Sequence, residues 1–328
     1  MGFSEIIGHG KQLETLRSAL AHERLHHAYL FVGPEGVGKR TVAFALARAI
    51  HCSDRPSDFC GQCANCARIL AGNHPDVRVA GPLPDKKEIS IQQIRAIEKE
   101  LNFRSFSGGK KIAIIDPATL MSLAAQNALL KTLEEPPQNS VLILIAPNAG
   151  GLLPTLRSRC LRLSFGPVQR DSLAGFLTAR GMNSEEAYFL AGLSGGSPGA
   201  ALTIDRQEAR EKRQLWRGML SALGTGDYRA ATETAEALSS SREETLKFLA
   251  WAETWYRDLL IHKVAQTSPD LVNLDMRAQI EADAARVKPG HLLALMAQIS
   301  AATAEIQRNF NRRMVLEHLL FRVVGAPS

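Results

Sequence analysis

The sequence predicts an α/β fold, a parallel sheet with helices on both faces, followed by a second half that is helical throughout. Three observations predict it. Short, wholly apolar runs alternate with amphipathic stretches in the first half of the chain, and a run apolar at every position is a strand buried on both faces, which needs helical crossovers. A glycine-rich turn joins the first of these runs to a helix. Beyond about Phe165 the strand pattern stops and helical spacing continues to Val324.

Taken in order, residues 11–25 place Leu13, Leu16, Leu20 and Leu25 on one face of a helix. Ala28–Val32 is a buried strand halted by Gly33, and a helix follows over residues 39–50. Val77–Ala80 is a further strand, and Ser90 is placed to cap a helix running to Leu101. Residues 111–116 are an apolar strand ending in the carboxylate of Asp116. A helix over residues 124–135 is closed by Pro136-Pro137, and residues 141–145 form another clear strand. Two short helices, residues 169–179 and Ser184–Leu193, precede the turn Gly195-Gly196-Ser197-Pro198-Gly199. From about Gln207 the helical half is punctuated at residues 224–227 and 239–241, at Ser268-Pro269 and at Pro289-Gly290. Its tryptophans, Trp216, Trp251 and Trp255, read first as core residues.

The 328 residues, at ~150 per domain, suggest two domains and allow three. The pattern divides into an α/β unit over residues 1–166, a small helical unit over 167–206 and a helical bundle over 207–328. With 45% hydrophobic and 22% charged residues the composition is that of a globular protein. The longest apolar stretch, near residues 141–147, falls far short of the ~20 residues that span a bilayer, and the first residues lack a signal-peptide core. A soluble, cytoplasmic protein is expected. A net charge of +6 permits contact with nucleic acid without demanding it.

Gly33-Pro34-Glu35-Gly36-Val37-Gly38-Lys39 fits the first seven positions of the phosphate-loop motif, between a strand and a helix as the motif requires. The glycines let backbone N–H groups close around phosphates, and Lys39 reaches for the β- and γ-phosphates. The eighth position should offer a hydroxyl to Mg²⁺ and is Arg40, which has no lone pair to give. Thr41 is next, but one residue along a helix turns ~100° away. Asp116 stands where such proteins hold Mg²⁺, and Pro117 follows it where hydrolytic members carry a glutamate that activates water. Gly33, Gly36, Gly38, Lys39, Thr41 and Asp116 therefore make a candidate ATP/ADP site, degraded for hydrolysis.

Cys52, Cys60, Cys63 and Cys66 lie within fifteen residues, with two C-x-x-C steps. Four thiolates satisfy tetrahedral Zn²⁺, and a closed site of this kind is structural. An iron–sulfur cluster and free thiols are the competing readings; the fourth cysteine and proline of the ferredoxin pattern are missing downstream.

Several of these motifs converge. Ile6-Ile7-Gly8, His26-His27-Ala28-Tyr29-Leu30-Phe31, the phosphate loop and the four-cysteine insert are joined by the run from Asn127 through Leu129-Leu130-Lys131-Thr132-Leu133-Glu134-Glu135 to Pro137, and by Leu156-Arg157-Ser158-Arg159-Cys160. In these residues the chain resembles the clamp-loader branch of the AAA+ ATPases, well over the first 200 residues and weakly beyond. The resemblance implies an AAA+ base, a helical lid and a collar bundle that joins a pentamer. The pentamer uses ATP to open a sliding clamp and place it on primed DNA, with motor subunits of the gamma/tau kind and a delta subunit as partners. It also implies that Arg159 is an arginine finger reaching a neighbour's ATP, with Arg157 structural. Arg40, Pro117, Ala146-Pro147-Asn148 and the absence of a sensing arginine near Gly199 depart from the motor pattern. The expectation is a non-hydrolysing scaffold subunit of the loader. The alternatives are an active AAA+ motor subunit and a zinc-dependent DNA-binding or repair protein. Cys160 is expected to be a small buried hydrophobe.

Overall fold

The computed structural model describes residues 2–265 and 271–325, so the Ser268-Pro269 punctuation lies outside the described residues. The chain forms two compact units, Met1–Met182 with Gly195–Leu202, and Asn183–Ser194 with Thr203–Ser328. The segment read from sequence as residues 167–206 is thus shared between them.

The first unit holds α1 (Gly10–Ala21), β1 (Ala28–Val32), α2 (Lys39–His51), α3 (Ala64–Leu70), β2 (Val77–Ala80), α4 (Ile91–Leu101), β3 (Lys111–Ile115), α5 (Leu123–Glu134), β4 (Ser140–Ala146), α6 (Pro154–Arg157), β5 (Leu161–Ser164) and α7 (Arg170–Thr178). Its five strands are all parallel, in the order β2-β3-β4-β1-β5. Successive side chains of a strand alternate between faces, and here both faces are apolar. Tyr29, Phe31, Ile112, Ile114, Val141 and Ile143 pack with Leu16 of α1 and Leu46 of α2. Leu30, Val32, Ala113, Ile115, Leu142 and Leu144 pack with Ile94 of α4 and Leu129 of α5. Continuous apolar runs are the sequence signature of this double burial, and the expected α/β class is borne out.

Local signals fix the helices. Ser90 caps α4 through a reciprocal pair with Gln93, as its sequence position predicts. Four elements went unread, one of them the helix Pro198–Thr203, which begins within the expected turn. Only Leu163 of β5 is buried, because β5 is an edge strand. Helix α6 is four residues long and starts at a proline. Helix α3 begins inside the cysteine cluster, with the Cys63 sulfur accepting from the Cys66 N–H as its cap.

In the second unit, α10 (Arg206–Ser221), α11 (Tyr228–Leu238), α12 (Arg242–Val264), α13 (Arg277–Arg286), α14 (Pro289–Gln307) and α15 (Arg312–Val324) follow α8 (Ser184–Leu193) and the end of α9 (Pro198–Thr203). All three tryptophans are buried in its core. Their rings lie 5.6 Å (Trp216–Trp251) and 5.7 Å (Trp251–Trp255) apart. Buried Arg213 pairs with Asp275 at 2.6 Å and with the Asn273 side chain. Among the described residues no helix is long and apolar enough to cross a membrane.

Phe31 ends in the sheet core just ahead of the phosphate loop and is fully buried. Phe31→Ala is expected to lower unfolding stability by about 3–5 kcal/mol, from lost transfer energy plus the cavity left behind. A shift of the urea midpoint at unchanged slope would measure it.

Candidate functional site

The C-terminal ends of β1, β3 and β4 open onto one crevice, the position where α/β sheets bind ligands. The loop after β1 is moulded by close approaches. A Cβ on Gly33 would sit 2.0 Å from the Phe165 carbonyl oxygen, and one on Gly36 (φ +72°) would sit 2.3 Å from the Ser197 hydroxyl oxygen. No other residue fits either place. Gly38 is the N-cap of α2, whose N-terminus is the natural anion site of the loop.

Gly36, Gly38, Lys39, Arg40, Thr41 and Asp116 line a cavity of about 780 Å³, with Ile6, Ile7, Phe176 and Gly199 among the other walls. Gly33 is not part of the lining. Lys39 is buried, and its ammonium donates to the carbonyls of Gly33 at 2.5 Å and Pro34 at 2.6 Å. Burial holds its pKa below the usual lysine value, against the attraction of Asp116 and Glu35. Arg40 and Asp116 meet directly: the guanidinium donates to the Asp116 carboxylate at 3.0 Å. The departure at Arg40 and the retained acidic residue Asp116, which look independent in sequence, are one ion pair in space. The carboxylate that would hold a divalent cation holds a side-chain cation instead.

The loop is fixed from outside as well. His9 Nε2 lies 2.8 Å from the Val37 carbonyl oxygen, and its ring packs edge-on against Phe165. The Gly199 N–H donates to the Gly36 carbonyl at 3.0 Å, and the Ser197 hydroxyl donates to the Glu35 carbonyl at 3.3 Å.

Arg159 lies outside this cavity. Its guanidinium pairs with Glu134 at 2.7 Å and donates to the Thr155 carbonyl at 3.0 Å, with about a third of the side chain still exposed. Arg157 differs, for its Nε is buried without a hydrogen-bond partner among the described residues. Burial pushes the Cys160 thiol up to about 12, which removes it as a nucleophile at neutral pH.

The four clustered cysteines converge. Their Sγ atoms all lie within 4.8 Å of one another. Zinc–sulfur bonds of about 2.3 Å in a tetrahedron need sulfurs about 3.8 Å apart, so the donor set fits one ion with little adjustment. Backbone N–H groups of Cys60, Gln62, Cys63 and Cys66 already point at the sulfurs, an arrangement that stabilises thiolates. Cys66 is buried and belongs to the sheet core, while Cys52, Cys60 and Cys63 pack against it.

Comparison with known proteins decides the family. A model described as DNA polymerase III, delta subunit, matches residues 8–169, and one for the C-terminal part of that subunit matches residues 211–324. The DNA polymerase III subunit delta-prime of Pseudomonas aeruginosa is 32% identical over 96% of this chain and 97% of its own. The chain belongs to the DNA polymerase III delta-prime family. The delta-prime subunit of Escherichia coli is 29% identical over 94% of this chain and 92% of its own. The tau subunit of Bacillus subtilis is 29% identical over 80% of this chain and half of its own.

In this delta-prime family member the residues read from sequence fall into three places: the loop residues with Asp116 around the crevice, Arg159 paired on α5, and the cysteines at the far end of α2. Sequence reasoning missed His9, Ser197 and Gly199 as supports of the loop. A histidine directly after Ile6-Ile7-Gly8 and a Gly-Ser-Pro-Gly turn carry no signal of what they touch. It also missed the Arg40–Asp116 pair, although a basic helix start and an acidic strand end in one fold are the signal that would have found it.

Proposed function

We propose that this chain is a clamp-loader subunit that does not hydrolyse ATP itself and lends Arg159 to the ATP of a neighbouring motor subunit. Gamma/tau-type motors and a delta subunit are its partners, the sliding clamp and primed DNA are what the assembly acts on, and the whole belongs to the DNA polymerase III holoenzyme. In this reading residues 167–206 act as the lid and 207–328 as the collar. The observation that carries the proposal is the Arg40–Asp116 ion pair. A metal-assisted attack on the γ-phosphate needs a hydroxyl and a carboxylate on Mg²⁺ and a base for water; here the carboxylate faces a guanidinium and the next residue is Pro117. Arg159 sits on a different face with a half-exposed partner, Glu134, that a stronger anion can displace. The cysteine cluster is assigned to structural Zn²⁺, which ties the insert to the end of α2. The direct test is phosphate release by the isolated chain with ATP and Mg²⁺: none is expected, and steady turnover overturns the reading.

Nucleotide bound in the crevice would be held by loop N–H groups, Lys39 and Arg40. Titration with a fluorescent ATP analogue should therefore give the same affinity with Mg²⁺ and with chelator. Arg40→Thr frees Asp116 and restores a hydroxyl, so binding should become Mg²⁺-dependent by about tenfold or more. A wild-type affinity that already collapses on chelation contradicts the role given to Arg40.

A further inference from the structure

Lys39, Arg40, Arg48 and Arg180 all line the cavity beside the phosphate loop. Lys39 is engaged by two loop carbonyls and Arg40 by Asp116. Arg48 and Arg180 pair with no carboxylate among the described residues. Each guanidinium lies over a phenyl ring instead, Arg48 on Phe59 at 4.1 Å and Arg180 on Phe176 at 3.7 Å. A ring face holds a guanidinium in place without neutralising it.

Arg48 is the cation set away from the loop. It lies in the last turn of α2, nine residues beyond Lys39, which is about 13 Å of helix. Phe59, beneath it, belongs to the cysteine insert. The Arg48 Nε donates to the Phe44 carbonyl at 3.4 Å, and its four terminal N–H donors have no partner among the described residues. The Phe44 ring in turn carries Arg40 at 5.3 Å. Arg40, Phe44 and Arg48 are spaced four apart and so share one helix face, and Phe59 closes the row. The cavity runs along this row, with Ile6 and Leu70 as apolar walls. The Glu5 carboxylate attracts Arg48 but forms no ion pair with it.

We propose that the cavity takes a nucleotide with phosphate on both sides of its sugar, a 5′-diphosphate on the loop and a 3′-diphosphate on Arg48. The stretch of α2 between Lys39 and Arg48 is longer than a triphosphate chain, so an anion at Arg48 has to be carried from the other side of the ribose. A guanidinium with free N–H donors receives phosphate oxygens in pairs, and no Mg²⁺ is needed at either end. The competing use of Arg48 is as a clamp that ties the insert to α2. The ring contact with Phe59 serves that purpose alone and leaves the free donors unexplained.

The proposal concerns the isolated full-length chain and does not depend on the clamp-loader reading. Without Mg²⁺, calorimetric titration compares ADP with adenosine 5′-diphosphate 3′-diphosphate, which share the 5′ end. The second ligand is expected to bind about tenfold or more tightly. Arg48→Ala should erase that advantage and leave ADP affinity as it was, while Arg48→Lys, which keeps the charge and loses the planar fork, recovers part of it. The melting temperature of each variant reports the clamp separately. Equal affinities in the wild-type chain overturn the proposal, as does binding of neither ligand. So does an advantage that survives Arg48→Ala, or an Arg48→Ala loss that falls equally on ADP. Inorganic pyrophosphate that binds beside ADP as tightly as the linked compound gains makes this an adventitious ion only, and overturns it too. Phosphate release from ATP by the chain bears on the hydrolysis reading and leaves this selectivity unaffected.

Discussion

In a loader where only the motor site facing this subunit can turn over, Arg159→Ala is expected to slow ATP hydrolysis by roughly 10³–10⁵-fold. The other motor sites are silenced by substituting their phosphate-loop lysines, so that bulk turnover reports one pocket. The size of the effect follows from where charge develops. The transferred phosphoryl group spreads negative charge over its outer oxygens, and a guanidinium brought in by a neighbour is strongest in that state. The resting structure holds Arg159 on Glu134 and the Thr155 carbonyl, with about a third of the side chain in solvent. An exposed pair of this kind contributes only about 0–1 kcal/mol to stability, so the variant should fold and assemble normally. Loss of turnover then reports the finger and not the fold. Arg159→Lys keeps the charge and loses the planar fork, and should recover only part of the rate. Undiminished turnover in Arg159→Ala removes this residue from the mechanism.

The sheet was legible because β1, β3 and β4 are buried on both faces. Nothing polar interrupts Ala28–Val32, and the glycine after it marks where the strand ends. The strand β5 was not legible, because three of its four residues face solvent and its order comes from pairing with β1. The same division runs through the site. Lys39, Asp116 and the cysteines are found by spacing, since their chemistry requires neighbours along the chain. The supports are not: Gly199 lies more than 160 residues from Gly36, and its contact is a backbone bond that any residue except proline can donate. Asp76 was likewise silent in sequence, because a carboxylate that anchors a loop thirty residues away has no local pattern. It shows in its titration instead. Burial alone would raise its pKa, but donors from the Ser107 side chain, the Phe106 and Ser107 backbone and the Ser105 side chain hold it well below the usual carboxylate range. Its folded pKa lies below the unfolded value of about 4. The stability it contributes is therefore complete above that pH and is lost as pH falls through the folded value.

Purified without chelator, the chain is expected to carry one equivalent of zinc, and the double variant Cys60→Ser with Cys63→Ser none. The consequence should be local and large. Closing a four-thiolate site contributes on the order of 10 kcal/mol of folding free energy in small zinc modules, and the insert has little else to hold it. Its residues from Cys52 to Gln62 form no helix or strand, and Asp54 and Arg55 are exposed. It shares with the rest of the unit Phe59, Cys66 and Ile69, buried in the sheet core beside α2 with the other three cysteines packed against them, and Asp58 accepts from the Phe3 N–H at 2.9 Å. Removing the metal should therefore open residues 52–70 while β1, β3 and β4 stay closed, since the core on the opposite face of the sheet contains no residue of the insert. Amide hydrogen exchange separates the two. Exchange across the insert should rise by several orders of magnitude in the double variant or in chelator, with the central strands protected as before. Zinc absent from the purified wild-type protein, or an insert equally protected with and without metal, rules out the assignment. Iron in place of zinc, with visible absorption, would make the cluster an electron carrier and return the competing reading of the same four sulfurs.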